Sequence, residues 1–186
     1  ALLPAPWADG EALDFDLRYP SGLLIGFARY SVSAGELAGR RTWHLGSQLV
    51  AGSHARSQLD VDAASMKPIR STWTIQPVVA AEATYANGHA EVLVKGSAPQ
   101  TIDLAGVVYD NEEAMQLIRR LPLATGFTKT FSVLVSIAGG RIVPVQLSVA
   151  GTEKIQAPAG TFDCHKVVLS LAGTHQTFWF STDAHR

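Results

Sequence analysis

The stretch from Thr152 to Asp183, TEKIQAPAGTFDCHKVVLSLAGTHQTFWFSTD, decides the fold class. Two strand-like runs, His165–Leu171 and His175–Ser181, flank a Gly173-Thr174 turn, and a tight knuckle, Ala157-Pro158-Ala159-Gly160-Thr161-Phe162-Asp163, precedes them. Alternation around a turn reads as a β-hairpin, and the knuckle sets how the chain enters it. The stretch carries no chemistry of its own.

Outward from there, period-two alternation dominates. Leu13, Phe15, Leu17 and Tyr19 oppose Asp14, Asp16 and Arg18, and Trp43, Leu45 and Leu49 oppose Thr42, His44 and Gln48. Leu59 and Val61 oppose Arg56, Gln58 and Asp60; Phe131 to Ile137 and Val143 to Val149 repeat the pattern. Each run describes a strand with one buried and one wet face, as in an antiparallel sheet. Turn signals at short intervals separate them: Pro20-Ser21-Gly22, Ala34-Gly35, Ala51-Gly52-Ser53, Asn87-Gly88, Gly139-Gly140 and Ala172-Gly173-Thr174. Asn87-Gly88 is the strongest hairpin signal, because both residues tolerate the positive φ of a type I′ turn. One segment breaks the alternation. Asn111 to Leu121 has a good N-cap in Asp110 or Asn111, acids in its first turn, arginines in its last and Pro122 as a stop. The expected fold is therefore mostly β: a highly curved antiparallel sheet of about ten strands approaching a barrel or half-barrel, with one helix near 111–121. Residues 1–186 read as a single β-rich domain.

The bulk numbers narrow the functional classes. A chain of 186 residues buries about 70% of its unfolded surface and needs no disulfide or metal to stand. Its charged content of 17% lies below the usual value of about 25%. Fifteen basic against sixteen acidic residues leave a net charge of −1, which argues against a nucleic-acid or anionic-membrane surface. No apolar run approaches the roughly 18–20 residues of a spanning helix. The chain starts on Ala1 without a charged leader, as a chain left by removal of a leader would.

Candidate chemistry is sparse. Cys164 is the only cysteine, and its neighbour His165 points to the opposite face of a strand, so the two form no dyad; Cys164 reads as a small buried hydrophobe. Six histidines lack the spacing of a zinc motif, and no metal or cofactor is expected. The pairs Asp14/Asp16 and Asp60/Asp62 have the spacing for glycosidic chemistry, but alternating acids on a wet face are ordinary strand solubilisation. No nucleophile elbow or phosphate-cradling loop occurs, so no catalytic residue is assigned and the reading leans away from an enzyme, with a hydrolase as a lower alternative. Aromatic residues are the better clue. Phe178-Trp179-Phe180 is apolar on both faces, covered either by the helix or by an apolar ligand or partner.

The run from Glu153 to Arg186, with its Ala-Pro-Ala-Gly-Thr-Phe knuckle and Phe-Trp-Phe-Ser-Thr-Asp arm, resembles the C-terminal signature of the bacterial domain of unknown function 3108 family. Ser65 to Ser71 and Val108-Tyr109-Asp110-Asn111 followed by Leu117 to Leu123 are similar to earlier parts of it. The resemblance implies an exported, mostly antiparallel β domain in the periplasm or outer envelope, with no established activity. In that family a further strand follows the arm, so an unpaired sheet edge and a homodimer are expectations here. Together these readings point to a protein that binds an apolar or amphipathic small molecule, lipid-like in class, in the concave face. Trp43, Trp73 and Trp179 are the expected lining residues, with Arg119 or Arg120 available to an anionic head group. The alternative is an interaction or structural module that uses an apolar patch or sheet edge.

Overall fold

The computed structural model describes residues 1–19, 21–171 and 173–183. Its first half is an uninterrupted meander: β1 (Glu11–Arg18), β2 (Leu24–Leu37), β3 (Arg40–Val50), β4 (His54–Asp62), β5 (Pro68–Ile75), β6 (Val78–Ala86), β7 (His89–Val94) and β8 (Gln100–Asp103). These pair in sequence order into one eight-stranded antiparallel sheet that does not close into a barrel. The second sheet holds β9 (Val108–Asp110), β10 (Thr128–Val135), β11 (Arg141–Ala157), β12 (Gly160–Leu171) and β13 (Thr174–Ser181) in the order β13-β12-β11-β10-β9. Among the described residues, only β9 runs parallel to its neighbour, β10. The connection between them carries the helix α1 (Ala114–Arg119), as a parallel pair requires a crossover.

The mostly antiparallel β architecture and the helix near 111–121 match the sequence reading; the expected sheet of about ten strands is divided into two. Alternation alone does not say which strands pair; the chain leaves the first sheet after β8 and starts the second with β9. Asn87 and Gly88 both take positive φ (51° and 79°) in the β6–β7 turn, the conformation a type I′ hairpin needs. At Gly26 a Cβ would lie 2.0 Å from the Val50 carbonyl oxygen, so only glycine lets β2 pass the β3–β4 turn. Pro20, Ala172 and the terminal Ala184-His185-Arg186, all singled out in the sequence, lie outside the described residues.

One core cluster draws on both sheets and the helix. Val32, Leu45, Leu59 and Val61 from the meander meet Leu117, Ile118 and Leu121 from the helical segment, with Phe131, Val133, Val145, Leu147, Val149, Val167 and Phe180 from the second sheet. A 3-10 turn, Asn111–Glu113, leads into the helix and is capped reciprocally: Asp110 accepts the Glu112 N–H while Glu113 accepts the Asp110 N–H. A second, smaller cluster joins Ala83, Ala90 and Val92 to Val108 and Leu134. β11 starts beside it, where Gly140 abuts Val92 and Ile102, and ends near β1 and β2. The long β11–β12 hairpin thus spans the meander from one side to the other.

Candidate functional site

Register converts the meander into cross-strand rows on its inner face. The row under the core is Val32–Leu45–Leu59–Ser71–Ala83–Val92, each residue paired with the next. One step towards the β1–β2 turn lies Leu13–Tyr30–Ser47–Ser57–Trp73–Ala81. A further step brings Phe15–Ala28–Leu49–Ala55–Ile75, apolar across five strands. Burial falls along this series. Leu59 is 1% exposed, whereas Phe15 and Ile75 at the two ends of the last row are 43% and 44% exposed. The concave face is therefore packed at one end and incompletely covered at the other.

The divider between the two ends is the acidic turn Asn111–Glu113. The serines and alanines of the middle rows leave room for it, and Ser57 hydrogen-bonds the Glu112 carboxylate. Ser57 Oγ in turn lies 2.6 Å from Ser47 Oγ. Burial pushes Glu112 up to about 7, and the Asp110 charge adds to that. Glu113 and Asp110 are wholly buried, and desolvation raises both. The Tyr85 hydroxyl donates to Asp110 Oδ2 at 2.6 Å, while Glu113 Oε2 has no hydrogen-bond partner among the described residues. Tyr30, across Ser47 from this chain, is pushed up by burial and by Glu112. Trp73 Nε1, on the same row as Ser57, is likewise buried without a described partner. A weakly acidic carboxyl thus stands at the inner end of an apolar surface.

The five lining candidates do not gather in one place. Trp43 packs edge-on against Trp7 at 5.9 Å in the filled core. Trp73 lies on the inner face beside the apolar row. Trp179 is on β13, 44% exposed, its Nε1 donating to Glu153 and its ring 6.0 Å from Lys166 Nζ. Arg119 is 4% exposed; it donates to Glu11 at 2.5 Å and to Gln116 at 2.8 Å, and it stacks over Trp7. Arg120 donates to the Leu3 and Ala63 carbonyls. Both guanidiniums hold protein groups together, tying the N-terminal segment and the β4–β5 loop to the helix.

The other candidates are also spoken for. Asp14 pairs with Arg29 and Asp16 with Arg18. Asp60 lies between His44 and Arg70; burial raises it, but their hydrogen bonds outweigh that and hold it below the usual carboxylate range. Asp62 caps the turn at Ala64 and Ser65. Cys164 is buried and unpaired, and burial with nearby carboxylates pushes its thiol up, away from reactivity. Among the described residues no three His, Cys, Asp or Glu side chains group as metal ligands, and no helix is long and apolar enough to cross a membrane. His185 lies outside those residues.

Sequence reasoning missed Leu49, Ile75 and Glu112 as members of one site. The signal was present only as register: Phe15 and Ile75 are sixty positions apart and share a row through three intervening strands. At the same end, but lined mainly from the opposite face of β1–β3, a groove of about 750 Å³ runs beside the β11–β12 turn, with Phe27, Val50 and Pro158 among its walls. Arg18, Arg29 and the acids paired with them also line it. Apolar walls beside charged groups suit an amphipathic molecule.

No curated protein and no solved structure matches the chain. The family described as "Protein of unknown function (DUF3108)" matches residues 14–186, nearly the whole chain, the open row and the acidic turn included. With the C-terminal knuckle and aromatic arm inside that match, the chain belongs to the DUF3108 family.

Proposed function

We propose that the protein is an exported domain of the bacterial envelope that binds an apolar or amphipathic small molecule, lipid-like in class, at the open end of its concave face. The observation that carries this reading is the row Phe15–Ala28–Leu49–Ala55–Ile75, apolar across five strands and partly bare at both ends. The groove beside the β11–β12 turn is lined mainly by the opposite face of β1–β3 and is not part of this surface. The ligand lies over Trp73 and Ile75, with its polar end towards Glu112. The filled core keeps it from the deeper position that Trp43 would line.

Native mass spectrometry of the purified protein, followed by organic extraction, tests this directly. A lipid-sized adduct released by the solvent is expected, and a bare mass under native conditions counts against the proposal. Titration with a nitroxide-labelled lysophospholipid locates the site: Trp73→Phe removes most of the quenching and Trp179→Phe leaves it intact. The reverse pattern moves the ligand to β13.

A second reading, an interaction module or homodimer, is favoured by β13. It is the edge of its sheet and presents Trp179 outwards. Sedimentation velocity decides it: a dimer that Trp179→Lys converts to monomer supports this reading, and a monomer at all concentrations removes it.

A further inference from the structure

The strands that carry the open row separate their charges by face. The cross-strand row Asp14–Arg29–Gln48–Arg56–Thr74 lies one residue out of step with the apolar row and so points to the outer side, where Arg29 and Arg56 are exposed. On the inner side, neither the row that begins at Leu13 nor the row that begins at Phe15 holds a Lys, Arg or His. The cations of the helical segment are engaged, Arg119 by Glu11 and Gln116 and Arg120 by the Leu3 and Ala63 carbonyls. The charge that meets this face is acidic: half-buried Glu112, with wholly buried Asp110 and Glu113 on the same capped turn. Such a face offers an anionic head group no partner and a carboxylate to repel it.

The polar groups beside Glu112 suit a hydroxyl. Ser57 hydrogen-bonds the Glu112 carboxylate, and Ser47 Oγ lies 2.6 Å from Ser57 Oγ. With Ser57 donating to Glu112, Ser47 donates to Ser57 and keeps an oxygen able to accept. Tyr30 is the direct cross-strand partner of Ser47, and its ring meets Phe15 edge-on at 5.7 Å. Its hydroxyl has no hydrogen-bond partner among the described residues, and it lies near enough for the Glu112 charge to push it up. A ligand hydroxyl donates to Ser47 and accepts from Tyr30. A carboxylate only accepts, and it meets the Glu112 charge. An ammonium only donates, and it sheds its hydration beside a carboxyl that keeps its proton up to about 7.

We infer that the concave face selects a lipid-like ligand with a hydroxyl next to its chain and no net negative charge, the hydroxyl bound between Tyr30 and Ser47. This rests on the ligand site proposed above and names the head group that the site takes. Calorimetric titration of the full chain at neutral pH with monolauroylglycerol, laurate and dodecylamine, which share one chain length, tests it. Monolauroylglycerol should bind roughly tenfold or more tighter than either charged probe, because an unpaired charge is costly to bury. Tyr30→Phe keeps the ring against Phe15 and should weaken monolauroylglycerol about fivefold, with an unchanged thermal melt and laurate binding no weaker. Glu112→Gln should raise the affinity for laurate. Laurate or dodecylamine binding as tightly as monolauroylglycerol overturns the inference and leaves the ligand site standing. So does a Tyr30→Phe variant that binds monolauroylglycerol like the parent, or an unchanged laurate affinity in Glu112→Gln. If none of the three probes binds, the ligand site itself falls and the inference with it.

Discussion

Along β4, Leu59 and Ala55 face the same side of the sheet four residues apart, yet they belong to different environments. Leu59 sits in the cluster completed by Leu117 and Ile118 from the helical segment and by Leu147 and Val149 from β11. Ala55 belongs to the row that ends in Phe15 and Ile75, each more than two-fifths exposed. The strands are the same; the covering differs. At the packed end the crossover after β9 lays a helix and a second sheet over the meander. Towards the other end, the acidic turn marks where the core stops. A curved sheet with one end filled can offer a binding surface without giving up the core that stabilises it.

The largest expected effect lies at the packed end. Leu59→Ala leaves a cavity among side chains that cannot close over it and should cost about 2–5 kcal/mol in denaturant unfolding. Ile75→Ser at the open end should change stability by less than about 1 kcal/mol, because the side chain is already half in water. Equal losses at the two sites would break the distinction between the ends.

Arg119→Ala comes next. It strips a buried guanidinium from Glu11, Gln116 and the face of Trp7, and should cost on the order of 3 kcal/mol. Lipid-probe affinity should survive in this variant under conditions where it remains folded. A lost affinity with unchanged stability would return Arg119 to the ligand site.

Glu112 sharpens the boundary between the ends. Its folded-state pKa of about 7 lies above the ordinary 4.5, so between those values the folded protein holds the proton more tightly than the unfolded chain. Its contribution is fully present below about 4.5 and is lost as pH rises through 7, up to roughly 3 kcal/mol in all. Glu112→Gln should therefore flatten the stability profile across that window and be the more stable protein above it. Chemical denaturation at a series of pH values measures the difference. An unchanged slope would mean that Glu112 is more hydrated than its burial implies.

The smallest effect belongs to the rim. Asp14→Asn breaks an exposed ion pair with Arg29 and should shift stability by no more than about 0.5 kcal/mol, less in high salt. A large shift would show that the open end is more tightly organised than its exposure suggests.

Much of the fold was legible because its signals are local. The β6–β7 hairpin could be read from Asn87-Gly88, and the helix from Asp110, its apolar spacing and Pro122. The arm Phe178-Trp179-Phe180 was readable as doubly apolar, and Phe180 does enter the core while Trp179 faces out. The site was much less legible. Trp43 and the arginines attracted attention by residue type, but Trp43 meets Trp7 and the arginines meet backbone carbonyls and Glu11. Glu112 and Glu113 read as first-turn acids favoured by the helix dipole; their burial depends on the small side chains of β4, β5 and β6.

By itself the sequence determined the element types, most turns and the family, because propensity, alternation and capping act over a few neighbouring residues. Only the tertiary structure decided that the described strands divide into two sheets, which row of the concave face stays bare, and which acids are buried. Those outcomes depend on pairing between residues tens of positions apart. A shift of one residue in that pairing would send every side chain of a strand to the other face.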